Sequence, residues 1–226
     1  MVAANAVPVE FLHGIGQHPS VWDAVAGRLP EWADPAISTI PSLSAPAHEP
    51  FSLDVAARWA AADLIDRSED DAVVVGLSLG AQIAVRLAAL EPGLVRALVL
   101  SAPVARPPKL LMRMQRAVLG ALPARMVTAP SVREGGTGLS KADMLRVLDV
   151  VAEIDLRDEL RRLEVPALVV VGGDDRASRR LSAEVAELIP DAELQVVPGV
   201  GHEWNRTHPE RFAAAIAEWV ERRGLA

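Results

Sequence analysis

The chain has 226 residues, half of them hydrophobic, enough to bury a sizeable core as a single domain over 1–226. A net charge of −7 excludes the basic footprint of a nucleic-acid binder, and the lack of cysteine excludes disulfides and thiolate chemistry. Residues 1–8 lack the basic start and apolar core of a signal peptide, and no apolar run reaches membrane-spanning length, so no membrane partner is expected and the expected location is cytoplasmic.

In chain order, the first β-type run covers 7–12 and leads into His13-Gly14-Ile15-Gly16 and a helical pattern at 22–29. A second run at 36–40 precedes a helical pattern at 52–67, which Ser52 can cap, with Asp54 in the first turn. A third run, 72–76, passes through Gly76-Leu77-Ser78-Leu79-Gly80 into a helical pattern at 81–90, and a fourth follows at 97–100. The tract 102–139 is irregular and rich in Pro and Gly, but residues 109–120 are amphipathic and rich in Leu and Met. A second helix starts after Ser140, with Asp143 as its capping-box partner. Residues 104–153 read either as a small helical lid inserted between strands or as surface helices packed on the core. Adaptable Met and Leu tilt the balance towards a lid. The remaining runs at 167–171 and 193–197 alternate with helical patterns at 179–189 and 209–223. Pro209 suits a first helical position, and Gly224 follows the last turn. The alternation predicts an α/β class chain: a largely parallel sheet of about six strands flanked by helices. Several runs are continuous rather than alternating, which fits strands covered on both faces.

Gly-x-Ser-x-Gly between a β run and a helix is what a nucleophile elbow requires: a sharp turn that lifts one serine above the sheet. Serine is a poor nucleophile until an imidazole takes its proton, and the imidazole needs a carboxylate to hold its tautomer. Both follow in the chain. Asp174 and Asp175 fall in the loop after 167–171, and His202 falls in the glycine-bracketed loop after 193–197. The carboxyl ends of strands are where open α/β sheets hold their ligands.

These segments, together with Trp22, Val165-Pro166, Gly172-Gly173-Asp174-Asp175, Gly201-His202 and His208-Pro209-Glu210, make the chain resemble the α/β-hydrolase superfamily. The likeness is to its esterase, lipase and haloperoxidase-like branch. Carried over by position, the resemblance implies Ser78 as nucleophile, His202 as general base and Asp175 as orienting acid. Asp174 is the fallback acid, or a turn residue. It also implies backbone N–H groups of Ile15 and Leu79 as an oxyanion hole, with His13 supporting that loop, and no metal or organic cofactor. Substrate contacts are expected from His18, Trp204 and Met112. His18 alternatively reads as a solvated loop residue, and Trp204, like Trp22, Trp32, Trp59 and Trp219, as a core residue. Glu203 reads as a group behind His202 or as an exposed carboxylate. Arg106, Arg113 and Arg116 read as steering an anionic substrate or as a solvated face. His48 is expected to face solvent and His208 to begin the last helix.

Three departures from the family pattern stand out. The chain begins at what resembles the third strand, the stretch 40–46 replaces a common Asp-x-x-Gly-x-Gly-x-Ser, and Ala81 stands where a second glycine is frequent. Serine rather than aspartate at position 78 argues against a dehalogenase or epoxide hydrolase, which form an ester on a carboxylate. The expected activity is hydrolysis of a carboxylic ester with a small or medium acyl group through an acyl-serine. The partner is then a small ester-type molecule, and the sequence carries no sign of oligomeric state. Enol-lactone and acyl-thioester hydrolysis are the enzymatic alternatives, and a ligand-binding protein of the same fold is the non-enzymatic one.

Overall fold

A computed structural model describes residues 6–41, 43, 49–67, 70–126 and 139–226. Strands β1 (Val7–Leu12), β2 (Ala33–Ile37), β3 (Ala72–Leu77), β4 (Val95–Ser101), β5 (Ala167–Gly172) and β6 (Ala192–Val197) form one sheet in the order β2-β1-β3-β4-β5-β6. Every pairing is parallel. The Val-rich central strands have to be covered on both faces, and all residues of β1, β3 and β5 are buried.

The pleat sends alternate side chains to two separate cores. On one face Val74, Leu98 and Val169 meet Ala56, Ala60 and Leu64 of α2 (Leu53–Arg67) and Ile83 and Leu87 of α3 (Leu79–Leu90). On the other, Phe11, Val75 and Val170 meet Trp22, Trp204, Phe212 and Trp219. The aromatic rings there form a chain, with centroids 5.1 Å apart for Phe11 and Trp22, 5.2 Å for Trp22 and Phe212, and 4.2 Å for Trp204 and Phe212. Trp59 does not join either core. It is 54% exposed, because α2 turns its alanine face inward and Trp59 lies off that face.

Two expected elements near the start of the chain differ. The second strand lies at Ala33–Ile37, not 36–40, with Pro35 opposite Val9. Proline lacks an N–H to give a ladder, but β2 is an edge strand, where that loss is tolerated. The helix expected at 22–29 is a 3₁₀ turn, Pro19–Trp22, followed by α1 (Asp23–Ala26). Its continuation tightens, Arg28 N–H donating to Val25 O and Leu29 N–H to Ala26 O, just before Pro30 stops it.

Between β4 and β5 lie α4 (Lys109–Ala121), α5 (Lys141–Val151) and α6 (Arg157–Arg162). Ser140 and Asp143 form the capping box of α5. Met112 of α4 and Val147 and Val151 of α5 join the first core, while Leu110, Met114 and Val118 face outward. Arg116 pairs with Asp149, Lys109 with Glu153 at 3.3 Å and Arg106 with Asp155 at 3.8 Å, so these cations neutralise nearby acids instead of presenting a bare basic face. Residues 127–138 within the tract expected as a lid, and His48, lie outside the described residues. Helix α7 (Arg176–Leu188) follows β5, and α8 (Trp204–Thr207) and α9 (Pro209–Arg222) follow β6. Among the described residues no helix is long and apolar enough to cross a membrane.

Candidate active site

Strand β3 runs into α3 with a single residue between them. That residue, Ser78, has φ 55° and ψ −111°, a left-handed conformation that a side chain rarely adopts. The surroundings enforce it. A Cβ on Gly76 would come within 2.4 Å of Gly80 O, and one on Gly80 within 2.1 Å of Leu12 O, so strand and helix approach as closely as backbone allows. The Ser78 N–H donates to Ser101 O at 2.8 Å, and Ser78 O accepts from Ala81 and Gln82. Strain of this kind persists only where neighbouring contacts over-determine the turn.

His202 lies on the loop after β6, and Asp175 is the N-cap of α7. Their side chains meet, Nδ1 of His202 lying 2.6 Å from Oδ2 of Asp175. A carboxylate only accepts, so Nδ1 carries the proton and Nε2 keeps a lone pair. Among the described residues Nε2 has no hydrogen-bond partner, and Ser78 lies across the same cavity. Burial alone would raise the Asp175 carboxyl, but hydrogen bonds from Ser178 and His202 outweigh it and hold it below the usual carboxylate range. Asp174 is exposed and does not contact His202, which settles which of the two acids faces the imidazole.

Ile15 and Leu79 both line this cavity of about 440 Å³, and among the described residues neither backbone N–H has an acceptor. A carbonyl oxygen placed between them would gain two donors. The rest of the wall is largely apolar, with Leu111, Met112, Leu148, Val151 and Leu181 among its residues. Among the described residues no cluster of three His, Cys, Asp or Glu side chains could hold a metal ion.

Two residues expected at the substrate lie elsewhere. His18 accepts the Ser20 N–H through Nδ1 at 3.2 Å and caps the 3₁₀ turn, outside the cavity lining. Trp204 is fully buried. Its Nε1–H donates to Ser101 Oγ at 3.2 Å, so it braces the strand end beneath Ser78 instead of forming the pocket rim. The reason is that α8 begins at Trp204 and turns that position towards the sheet. His13 is buried, hydrogen-bonded through Nδ1 to Gly14 O, and burial pushes it down to about 4, so it stays neutral. His208 stands immediately before Pro209 at the start of α9.

Sequence reasoning missed Gln17 and Gln82. Gln17 is 9% exposed and lines the cavity, accepting from Gly14 N–H and donating to Glu203. Gln82 donates to Val104 O at 3.0 Å, pinning the chain as it leaves β4. Asking where the loop amide of Gly14 finds its acceptor would have pointed to the polar side chain three residues on.

Residues 11–215 match the model of the alpha/beta hydrolase family. The chain is 29% identical to the pimeloyl-[acyl-carrier protein] methyl ester esterase of Neisseria meningitidis serogroup A, over 94% of this chain and 76% of that protein. It is 25% identical to the 2-succinyl-6-hydroxy-2,4-cyclohexadiene-1-carboxylate synthase of Serratia proteamaculans, over 93% and 91% of the two lengths. An alpha/beta hydrolase enzyme from a Medee basin deep-sea metagenome superposes with a TM-score of 0.82 at 19% identity, covering 98% of this chain and 91% of that one, which shows a common fold.

Proposed function

Because the chain belongs to the alpha/beta hydrolase family, we propose that it hydrolyses a carboxylic ester through an acyl-serine on Ser78. The observation that carries this reading is the Asp175–His202 pair facing the same cavity as the strained Ser78. Nε2 of His202 takes the Ser78 proton as Oγ attacks the ester carbonyl. The oxyanion is held by the N–H groups of Ile15 and Leu79, the imidazolium is held by ionised Asp175, and His202 then protonates the departing alcohol. Water, deprotonated by the same Nε2, attacks the acyl carbonyl; the tetrahedral intermediate collapses, the proton returns to Ser78 and the acid leaves.

The apolar wall suits a small or medium acyl group, with α4 and α5 serving as the lid over it. The esterase among the relatives supports the same bond class. In a test with a fluorophosphonate probe and short-chain p-nitrophenyl esters, the adduct should map to Ser78. Ser78→Ala should lose both labelling and turnover, the latter by about 10⁴-fold or more. A folded, unlabelled wild-type protein that binds esters without cleaving them would turn the reading towards a ligand-binding protein.

A further inference from the structure

We propose that Gln17 and Glu203 form a positioning strut that ties the Ile15 amide to the His202 loop. This rests on the ester-hydrolase reading above.

Ile15 sits between Gly14 and Gly16, and Gly16 has φ 74°. A donor flanked by two glycines lies on intrinsically pliable backbone, yet an oxyanion donor must be aimed to within about 0.5 Å. Gln17 closes this loop from both sides. Its own N–H donates to Gly14 O at 3.3 Å, and its side-chain Oε1 accepts the Gly14 N–H at 2.9 Å. The far side of the same amide then leaves the loop. Nε2 donates to Oε1 of Glu203 at 2.8 Å, joining positions 186 residues apart. The Gly14 N–H only donates and the Glu203 carboxylate only accepts, so the amide has one orientation in which both contacts form.

Glu203 is bonded covalently to His202 and its other oxygen is 3.3 Å from Arg206, so it is braced from α8, which follows directly. The carboxylate polarises the amide, and the amide strengthens its grip on Gly14. Because Gly14 N–H is already taken, Ile15 N–H is the amide left to face the cavity. One side chain therefore fixes the distance between the base and one oxyanion donor. Neither Gln17 nor Glu203 transfers a proton; both act through Gly14 and His202.

The test is a charge-swapped pair assayed on p-nitrophenyl butyrate. Gln17→Ala should lower kcat by about 10- to 100-fold with KM within about threefold, since a misplaced donor costs transition-state rather than ground-state binding. Gln17→Glu alone sets two carboxylates face to face and should fall at least as far. Adding Glu203→Gln keeps the Gly14 N–H donating to residue 17, rebuilds the bond between 17 and 203 with its polarity reversed, and should return kcat to within about fivefold of wild type. Losses that simply add in the double variant would overturn the strut. So would a Gln17→Ala protein with reduced thermal stability but unchanged kcat per folded molecule. Ser78→Ala is run alongside. Turnover surviving in that variant topples the ester reading itself, whereas turnover lost there but kept in Gln17→Ala topples only the strut.

Discussion

Asp175 serves two partners at once. Its Oδ1 accepts the Ser178 N–H and starts α7, and its Oδ2 faces His202. Asn at this position separates the two roles, because Asn caps helices as well as Asp does but can present an N–H to Nδ1 and hold the wrong imidazole tautomer. Asp175→Asn is therefore expected to lower kcat by about 10⁴-fold while the melting temperature moves little. Thermal unfolding and ester turnover on the same sample check this, and a large fall in melting temperature would mean that the contact to His202 also carries stability. The depressed Asp175 carboxyl stays ionised across the neutral range, so its loss of charge should not limit activity until well into acid. At this scale the sequence was legible where a motif carries the position: it singled out Ser78, Asp175 and His202, and the fold brings these three to the lining of one cavity. It was opaque where a role depends on a contact distant in the chain. Nothing local to Gln17 announces Glu203, and nothing local to Trp204 says that its ring reaches Ser101.

Among elements, the close crossing of β3, α3 and the end of β1 is the tightest joint. Gly80→Ala would push a Cβ to 2.1 Å from the Leu12 carbonyl, a backbone atom with no soft side chain to yield. Expected outcomes are a loss of several kcal/mol of stability, on the scale of other severe core overpacking, and displacement of Ser78 in any protein that still folds. Denaturant unfolding and fluorophosphonate labelling read these two effects separately. Ala81, one residue on, is fully buried and already carries a Cβ, which shows how local the constraint is. The central strands were legible as continuous apolar runs, which burial on both faces produces, and most helices by their helical periodicity. The boundaries that moved have physical causes: an edge position that accepts Pro35, and a capping carboxylate at Asp175 that starts α7 three residues before the apolar pattern does.

At the scale of the whole molecule, the buried carboxyl of Glu10 links stability to pH. Glu10 sits in the middle of β1, fully buried, and burial pushes it up to about 7 despite the Ser38 hydroxyl at 2.5 Å and Arg67 at 2.7 Å. Its folded-state value lies above its ordinary 4.5, so the folded protein binds more protons than the unfolded chain between those values. Stability should therefore fall as pH rises from about 4.5 to 7, by roughly 3 kcal/mol from this group, and level off above. Glu10→Gln keeps the shape and removes the titration, so its unfolding free energy should be flatter over that window. An unchanged slope would assign the dependence to other groups.

The order in which the sheet is threaded bears on how the protein comes into being. During synthesis the segment bearing Ser78 leaves the ribosome well ahead of β6 and the loop bearing His202, and β6 takes an edge place in the finished sheet. On the proposed mechanism, a nascent chain with its central strands already assembled holds an ordinary, unreactive hydroxyl. On that mechanism Ser78 gains its base only when the strand that precedes the His202 loop has joined the sheet.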